Sequence, residues 1–298
     1  MIDDMKIPTP GRTVESSDRT DRRTARIGVH AVDGSDVFLK KDVVAIEEPL
    51  EIRVGYGSTY ARRHRSVSVT MRTPGHDQDL VMGFLFTEGI IGAAGEVTQV
   101  EIGGGGGSQP NIATVELKPE VELDDARVQR SFIAASSCGI CGKTTLAGVK
   151  PPEDEPLARA TSLVEPATIK KMPIALAESQ PLFGATGGVH AAGLFSAEGE
   201  IIIAAEDIGR HNAVDKIVGS QLSLEAIPLS YRVLMVSGRT SFEIIHKARA
   251  AGVPVVASVG APSSLAVELA DEWGMTLIGF VTGDRFNIYS SAERVEVR

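Results

Sequence analysis

The chain contains 298 residues, of which 43% are hydrophobic and 23% are charged, and its formal net charge is −9 at pH 7. This composition is ordinary for a soluble globular protein, and the length predicts about two domains at roughly 150 residues each. The acidic balance argues against general binding to nucleic acid or to an anionic membrane, because both favour basic surfaces.

The N-terminal stretch MIDDMKIPTPGRTVESSDRTDRRTAR has no apolar core of the kind found in secretory signals. Its acidic, Pro, Ser and Arg residues predict a disordered tail over residues 1–26. No run of about 18 apolar residues follows, so no membrane span is predicted. We therefore expect a cytoplasmic protein, in which a CxxC pair is more often metal-binding or catalytic than a structural disulfide.

The first half of the chain predicts a small α+β domain over residues 27–130. Strands are predicted from apolar alternation and β-forming residues at 36–45, 51–56, 66–72, 97–102 and 112–117. Asp77 and Asp79 precede the apolar run LVMGFLF, and this pattern predicts a capped amphipathic helix. The stretch GGGGGSQP lacks the Lys-Ser/Thr of a phosphate-binding loop, so we interpret it as a flexible hairpin loop.

The second half, residues 131–298, has a pattern that predicts an α/β domain. Two strands at 189–195 and 200–205 predict a hairpin that turns at Ala197-Glu198-Gly199. Strands and helices then alternate, with helices starting near Asn212, Phe242 and Ser263 and strands at 231–237, 253–258 and 275–281. This alternation predicts a mixed sheet with helices on its faces. The expected fold class is α/β (α+β overall).

Both cysteines lie in the stretch SSCGICGK, at Cys138 and Cys141. A single CxxC pair supplies only two of the four ligands that a structural zinc site needs, and the six histidines show no HxxxH spacing. A thioredoxin-type redox pair and a purely structural pair remain alternatives. Gly139 and Gly142 leave the backbone free and Lys143 favours the thiolate, so the stretch favours a nucleophilic or carrier thiol.

Four later stretches place glycine, hydroxyl and charged side chains near predicted strand ends, where open α/β sheets bind ligands. The candidate binding residues are Gly187, Gly188 and His190; Asp207, Arg210 and His211; Ser237, Gly238, Arg239 and Thr240; and Asp284 and Arg285. Hydroxyls, an arginine and free N–H groups at a helix start suit a phosphorylated ligand such as a nucleotide. A second hydroxyl-rich helix start at 258–264 would add to such a site.

Each of these stretches also has a structural explanation. A histidine on a strand, such as His190, is more often a packed core residue than a catalyst. Asp207 is a candidate cap for the helix that follows it, and Glu243 is a candidate partner in a capping box. A polar hairpin turn around Gly283 explains the last stretch nearly as well as a ligand site does.

The chain resembles the formate dehydrogenase accessory sulfurtransferase family (FdhD) in seven stretches that occur in the family's order. They are EEPLEI, TPGHDQDLVMGFLFTEGII, SSCGICGK, FGATGGVHAAGLF, EDIGRHNAVDKIVG, SGRTSFEIIHKA and GDRFNIY. Together they extend over nearly everything from about residue 45 to the end. The combination is highly specific, although no single stretch is.

The resemblance implies a sulfurtransferase that takes sulfur from a cysteine desulfurase as a persulfide. It passes the sulfur to the bis-molybdopterin guanine dinucleotide cofactor of formate dehydrogenase. The resemblance also implies that Cys138 is the persulfide carrier and Cys141 its partner thiol. It implies a guanine dinucleotide segment consisting of Phe280, Val281, Thr282, Gly283, Asp284 and Arg285. The implied architecture is a small N-terminal α/β domain plus a cytidine-deaminase-like C-terminal domain, in a homodimer without a permanently bound metal.

Two other functions are weighed against this one. A zinc deaminase needs an H-x-E or C-x-E triplet together with P-C-x-x-C. Here Ser137 precedes the CxxC pair and no His or Cys is followed two places later by Glu, so deamination is not expected. A non-catalytic chaperone that only holds the cofactor stays open, and a requirement for Cys138 in sulfur transfer would separate the two.

Overall fold

The structure is a computed structural model that describes residues 21–103, 111–123, 157 and 164–296. In the N-terminal half, the elements are β1 (Thr24–Asp33), β2 (Asp36–Ala45), β3 (Glu48–Tyr56), β4 (Arg63–Arg72), α1 (Asp77–Thr87), β5 (Val97–Ile102) and β6 (Ile112–Leu117). The C-terminal half begins with α2 (Pro166–Glu178), α3 (Pro181–Thr186), β7 (His190–Ser196), β8 (Ile201–Asp207) and α4 (Arg210–Ser223). It ends with β9 (Arg232–Val236), α5 (Phe242–Ala250), β10 (Val255–Ser258), α6 (Ser264–Glu272), β11 (Thr276–Thr282) and β12 (Arg285–Ser290).

The strands of the described residues form three sheets. A hairpin of β1 and β2 stands apart from a four-stranded sheet of order β4-β3-β6-β5 and a six-stranded sheet of order β12-β11-β10-β9-β7-β8. In the larger sheet β9, β10 and β11 are parallel, because a helix follows each of the first two and returns the chain to the same end. The other neighbours are antiparallel, so the predicted mixed sheet is confirmed.

The six-stranded sheet is buried on both faces. Along β7, Leu194 packs with helices α4, α5 and α6 on one face, while Phe195 packs against α2 on the other. The same alternation continues in β9, where Leu234 and Met235 belong to opposite cores. Burial on both faces explains why β9 and β10 are continuous apolar runs rather than alternating ones.

Helix α1 covers the four-stranded sheet and at the same time packs directly on α4. Residues Leu80 to Leu85 are all buried, so the predicted amphipathic character is wrong: both sides of the helix are covered. Gly83 and Gly219 permit the contact, because a Cβ on Gly83 would lie 1.9 Å from the Asp215 carbonyl oxygen. A Cβ on Gly219 would lie 1.8 Å from the Asp79 carbonyl oxygen. The two helix backbones therefore touch at these glycines.

Several predicted boundaries differ from the structure. Strand β1 was not expected, and it begins at Thr24, inside the segment predicted to be a disordered tail. Helix α4 begins at Arg210 rather than near Asn212, and α1 begins after His76, whose backbone is left-handed and whose side chain makes no cap hydrogen bond. Residues 1–20 lie outside the described residues.

The domain division at residue 130 falls outside the described residues and stays a prediction, as does the likeness of the C-terminal half to cytidine deaminase. The structure establishes a mixed α/β fold with two cores on either side of the larger sheet and a third under the smaller one. In the described part of the chain, no helix combines the length and the apolar character needed to cross a membrane.

The helix contact gives a direct stability test. We expect Gly83→Ala to lower the free energy of unfolding by roughly 3 kcal/mol, because the added methyl group collides with backbone atoms that cannot rotate away. The matched control is Gly184→Ala in α3, where an added Cβ meets no atom within 4 Å. There the change should stabilise by up to about 1 kcal/mol, the helix preference of Ala over Gly. Urea unfolding of both variants measures the difference, and an unchanged Gly83→Ala protein would contradict the contact.

Candidate functional site

The predicted binding residues lie along one edge of the six-stranded sheet. The parallel strands β9, β10 and β11 end at this edge, and the antiparallel strand β7 begins there at His190. His190 pairs with Asp207 at the end of β8, and Ser237 accepts a hydrogen bond from the Ala191 backbone N–H through its hydroxyl at 2.9 Å. This is the edge at which α/β sheets bind ligands.

Three loops at this edge are joined to one another by backbone hydrogen bonds. Gly260 N donates to Gly238 O at 3.3 Å, and Thr240 N donates to Ala261 O at 3.2 Å. Phe280 N then donates to Gly260 O at 3.1 Å, which connects the end of β11 to the same set. A Cβ on Gly260 would lie 2.9 Å from the backbone of Gly238, so a larger residue would push the loops apart. The loops therefore form a closely packed platform.

His190, Arg210 and His211 meet at the β7 end of this platform. The His190 ring lies over the backbone of Gly238, since a Cβ there would be 3.3 Å from its Nδ1. Burial lowers the pKa of His190, and the positive charges of Arg210 and His211 lower it further, against an opposing effect of Asp207. His190 is therefore neutral at neutral pH, between two basic neighbours.

His211 has a carboxylate partner on the next helix. Its Nε2 lies 2.6 Å from Glu243 Oε2 and 3.2 Å from the Ser241 hydroxyl oxygen. Glu243 was considered as part of a capping box, but Ser241 makes no side-chain cap hydrogen bond at the start of α5. Both side chains instead lie against His211, and of the two contacts the one to Ser241 has hydrogen-bond geometry. Glu243 was not among the predicted site residues.

Asp207 has a structural position rather than the ligand-binding one expected from the sequence. It is fully buried, and its carboxylate forms an ion pair with Lys216 at 2.7 Å. It also accepts hydrogen bonds from Thr73 N, Gly209 N and Asn212 Nδ2 at 3.2, 2.8 and 2.9 Å. These partners occupy the carboxylate, so Asp207 fixes the segment after β4 to the start of α4.

The remaining predicted residues are of two kinds, those buried within the loops and those at the surface of the edge. Thr240 and Val281 are fully buried and shape the loops. Gly187 ends α3 in a left-handed conformation, with φ of 64°, and this explains the glycine without a ligand. The surface of the edge is formed by half-buried or exposed residues, which are Gly187, Gly188, His190, Arg210, His211, Ser237, Gly238, Arg239, Phe280, Thr282, Gly283, Asp284 and Arg285.

The Gly283–Arg285 turn lies at the same edge but at its far end. It joins β11 to β12, the outermost strand, whereas His190 begins β7, three strands from β11. At about 4.8 Å per strand the separation is about 14 Å. Phe280, 44% exposed and with φ of 54°, lies between these two ends at an irregularity in β11. A ligand that reaches both ends must be elongated.

Cys138, Cys141 and Lys143 lie outside the described residues, so the nucleophilic or carrier role of the CxxC thiols stays a prediction. Within residues 21–103, 111–123 and 164–296, no three His, Cys, Asp or Glu side chains are arranged to hold a metal ion.

A second buried ion pair joins α4, α5 and the end of α1. The Asp215 carboxylate lies 2.9 Å from Lys247 Nζ and accepts a hydrogen bond from the Thr87 hydroxyl at 2.9 Å. Lys247 also lies 3.6 Å from Glu88. Burial alone lowers the pKa of Lys247, but the carboxylates of Asp215 and Glu88 outweigh it and raise that pKa. The 2.9 Å contact between the carboxylate and Nζ is that of an ion pair. The sequence offers one signal for this pair: Asp215 and Lys247 each lie among apolar residues within a predicted helix.

This pair generates a second stability prediction. Lys247→Met leaves the Asp215 carboxylate buried without its cation, so we expect the free energy of unfolding to fall by roughly 3–5 kcal/mol. The double variant Asp215→Leu/Lys247→Met should recover most of the loss, because an apolar pair has no charge to desolvate. Lys171→Met on the exposed face of α2 is the control. Urea titrations that find the single and double variants equally unstable would contradict the ion pair's role.

His190 generates a pH prediction. Because its pKa is lowered from 6.5 in the folded protein, the unfolded chain binds a proton first as the pH falls. The stability that neutral His190 provides is complete above about pH 6.5 and is lost as the pH falls below that value. His190→Gln should therefore lose less free energy of unfolding than wild type between pH 7 and pH 5.5. The control is His76→Gln, whose ring is 74% exposed. Parallel pH profiles for wild type and His190→Gln would refute this.

Comparisons with known proteins extend over nearly the whole chain. Residues 45–296 match the FdhD/NarQ family. A sulfur carrier protein FdhD from Mycolicibacterium paratuberculosis is 43% identical over 276 residues, which cover 91% of this chain and 98% of that protein. One from Thermoplasma volcanium is 46% identical over 258 residues, covering 86% and 90%. A crystal structure described as a formate dehydrogenase accessory protein, from Desulfotalea psychrophila, has a TM-score of 0.72 at 26% identity and covers 92% of this chain and 99% of that one.

The family match includes both the sheet edge and the segment that contains the two cysteines, and the relatives are aligned over almost their full length. The chain therefore belongs to the FdhD/NarQ family.

Proposed function

We propose that this protein is a sulfur carrier that transfers sulfur to the bis-molybdopterin guanine dinucleotide cofactor of formate dehydrogenase. The observation that supports this most strongly is the similarity, over 91% of the chain, to a protein named sulfur carrier protein FdhD. The name of the similar crystal structure adds formate dehydrogenase as the enzyme served. A cytoplasmic location and a homodimer belong to the same proposal.

The thiol chemistry is a persulfide exchange. A cysteine desulfurase presents a persulfide, and the Cys138 thiolate attacks its outer sulfur. A new S–S bond forms at Cys138 while the donor S–S bond breaks, and the donor cysteine leaves as a thiolate. The exchange needs no outside oxidant or reductant. Cys141 assists as a partner thiol in this proposal.

The sheet edge supplies the anchor for the cofactor, which is the substrate of the transfer. Arg210 and Arg239 provide positive charge, and the starts of α5 and α6 provide backbone N–H groups, both of which favour a diphosphate. Asp284 accepts from a guanine base edge, and the exposed Phe280 ring stacks on it. The distance of about 14 Å between the two ends suits a dinucleotide better than a single small anion.

The two halves of this proposal are tested by a reciprocal pair of variants. Cys138→Ala should retain GDP affinity but gain no sulfur when mixed with a desulfurase and cysteine, and it should not activate formate dehydrogenase. Arg285→Ala should still load a persulfide but bind GDP about 10-fold more weakly, the expected loss of one charge-assisted hydrogen bond. Intact-protein mass spectrometry and calorimetry measure the two effects.

The control for the second variant is Arg63→Ala, an exposed arginine at the start of β4 on the other sheet. Equal affinity of the wild type for GDP and ADP would argue against guanine recognition. If Cys138→Ala still activates the dehydrogenase in cells, the sulfur-carrier proposal is wrong. The alternative, a chaperone that only holds the cofactor, would then be the better proposal.

A further inference from the structure

The loop that joins β3 to β4 is fixed by the side chain of Arg62. Its guanidinium group donates to three backbone carbonyl groups, Gly55 O at 3.0 Å, Gly57 O at 2.9 Å and Leu117 O at 2.7 Å. Its Nε also donates to Glu116 Oε2 at 3.1 Å. These hydrogen bonds join the end of the loop to its start and to the neighbouring strand β6, so the loop has a fixed position on the sheet.

Glu116 reaches Arg62 by crossing the strand that lies between β6 and β4. Glu116 on β6 pairs with Gly55 on β3, and Gly55 pairs with His64 on β4. A Cβ on Gly55 would lie 2.2 Å from Glu116 Oε2, so a glycine is needed where the carboxylate passes. His64 Nε2 lies 2.6 Å from the other carboxylate oxygen. One carboxylate therefore holds the residues on both sides of Arg63.

The groups that this loop presents to solvent are an aromatic ring and basic side chains. Tyr60 is fully exposed, and Arg63 at the start of β4 is exposed as well. The Tyr60 patch, residues 57–65 (GSTYARRHR), contains three arginines and no acidic residue, on a chain whose net charge is −9. Tyrosine and arginine are enriched among the residues that dominate binding energy in protein interfaces. A loop that is already fixed loses little conformational entropy when a partner binds.

Charge complementarity selects a protein with an acidic surface as the partner of the Tyr60 patch. Nucleic acid is acidic too, but the net charge of −9 repels an extended polyanion. Proteins that bind single strands also stack successive bases on several aromatic side chains, whereas the sequence of the patch contains a single Tyr and no Phe or Trp. The patch therefore fits a protein better than it fits a nucleic acid.

The Tyr60 patch lies far from the sheet edge that is proposed to hold the cofactor. Strand β4 runs for ten residues from Arg63 to Arg72, a length of about 30 Å. Just beyond its far end, Thr73 N donates to Asp207 Oδ2 beside the sheet edge. A protein docked at Arg63 therefore leaves the edge open. In the proposed transfer the acceptor must contact the edge, because the cofactor is bound there, whereas the sulfur donor has no such requirement.

We propose that the Tyr60 patch is the docking surface for the sulfur donor, a cysteine desulfurase that presents an acidic surface to Arg63 and a socket to the ring of Tyr60. This inference rests on the proposed function, because it takes a protein persulfide as the source of the sulfur, and it adds the place where that protein binds. The arginine charge speeds the encounter, and the tyrosine ring supplies short-range contact.

The experiment measures the second-order rate constant for persulfide loading of Cys138, followed by intact-protein mass spectrometry with a desulfurase and cysteine. At low salt Arg63→Glu should lower this rate constant about 10-fold, because the charge at the docking surface is reversed. The difference from wild type should disappear at about 1 M salt, where the Debye length is about 3 Å. Tyr60→Ala should lower the rate constant about 10-fold at either salt concentration, since the contact of the ring is not electrostatic.

The matched control is Lys171→Glu, which makes the same change in net charge at an exposed position on α2 and should load like wild type. A second arm replaces the desulfurase with glutathione persulfide. The Cys138 thiolate attacks its outer sulfur, the new S–S bond forms, and glutathione leaves as a thiolate. With this small donor, which has no docking surface, every variant should load at the wild-type rate. An unchanged GDP affinity shows that each variant is folded.

Equal loading of Arg63→Glu and wild type by the desulfurase at low salt would overturn the inference, and so would an equal loss with both donors. A 12-nucleotide single-stranded RNA that binds wild type but not Arg63→Glu would assign the patch to nucleic acid instead. In each of these cases the wild-type Cys138 would still be loaded, so the docking inference can fail while the proposed function stands.

Discussion

The arrangement of the molecule depends on two adjacent buried ion pairs made by one helix. Asp215 and Lys216 follow each other on α4, and each finds an oppositely charged partner in the interior, Lys247 on α5 and Asp207 at the end of β8. Breaking either pair leaves a buried charge, which costs far more than an exposed ion pair contributes. Such pairs tolerate little displacement, so the elements that contribute to them have fixed relative positions.

These two ion pairs fix elements of both halves of the chain relative to each other. Lys216 and Asp207 hold the segment after β4 through Thr73, and Asp215 holds the end of α1 through Thr87. Between these two points the backbones of α1 and α4 touch at Gly83 and Gly219. The four-stranded sheet is thereby attached to the helix whose first turn contains Arg210 and His211. The geometry of the sheet edge therefore depends on the Asp207–Lys216 pair at the edge itself and on the Asp215–Lys247 pair about one helical turn below it.

The fold could be predicted from the sequence wherever a local pattern decides it. The β–α–β steps from β9 to β11 fixed the parallel strands, and β5 and β6 were located to the residue. Strand β1 was missed because it begins among the charged residues that predict a disordered tail, and none of its residues is fully buried. The predicted amphipathic character of α1 was wrong because packing against a helix that is distant in the sequence has no local sequence pattern. The sequence around Asp207 predicts a binding residue because a buried ion pair and a binding site have the same polar composition.

The proposed sulfur delivery places two demands on the protein, and the sheet edge can meet only one of them. The acceptor must be held in one orientation, and this requires groups whose positions are fixed before binding. Loops joined by backbone hydrogen bonds at Gly238, Gly260 and Phe280 meet that demand. In the proposed transfer the thiol has the opposite requirement, because it must reach a donor protein and then an acceptor cofactor. The binding residues of the sheet edge and Cys138 lie in different segments of the chain, so a change in one segment need not alter the role of the other. A substitution at the edge should then alter affinity and a substitution at Cys138 should alter transfer, and neither should do both.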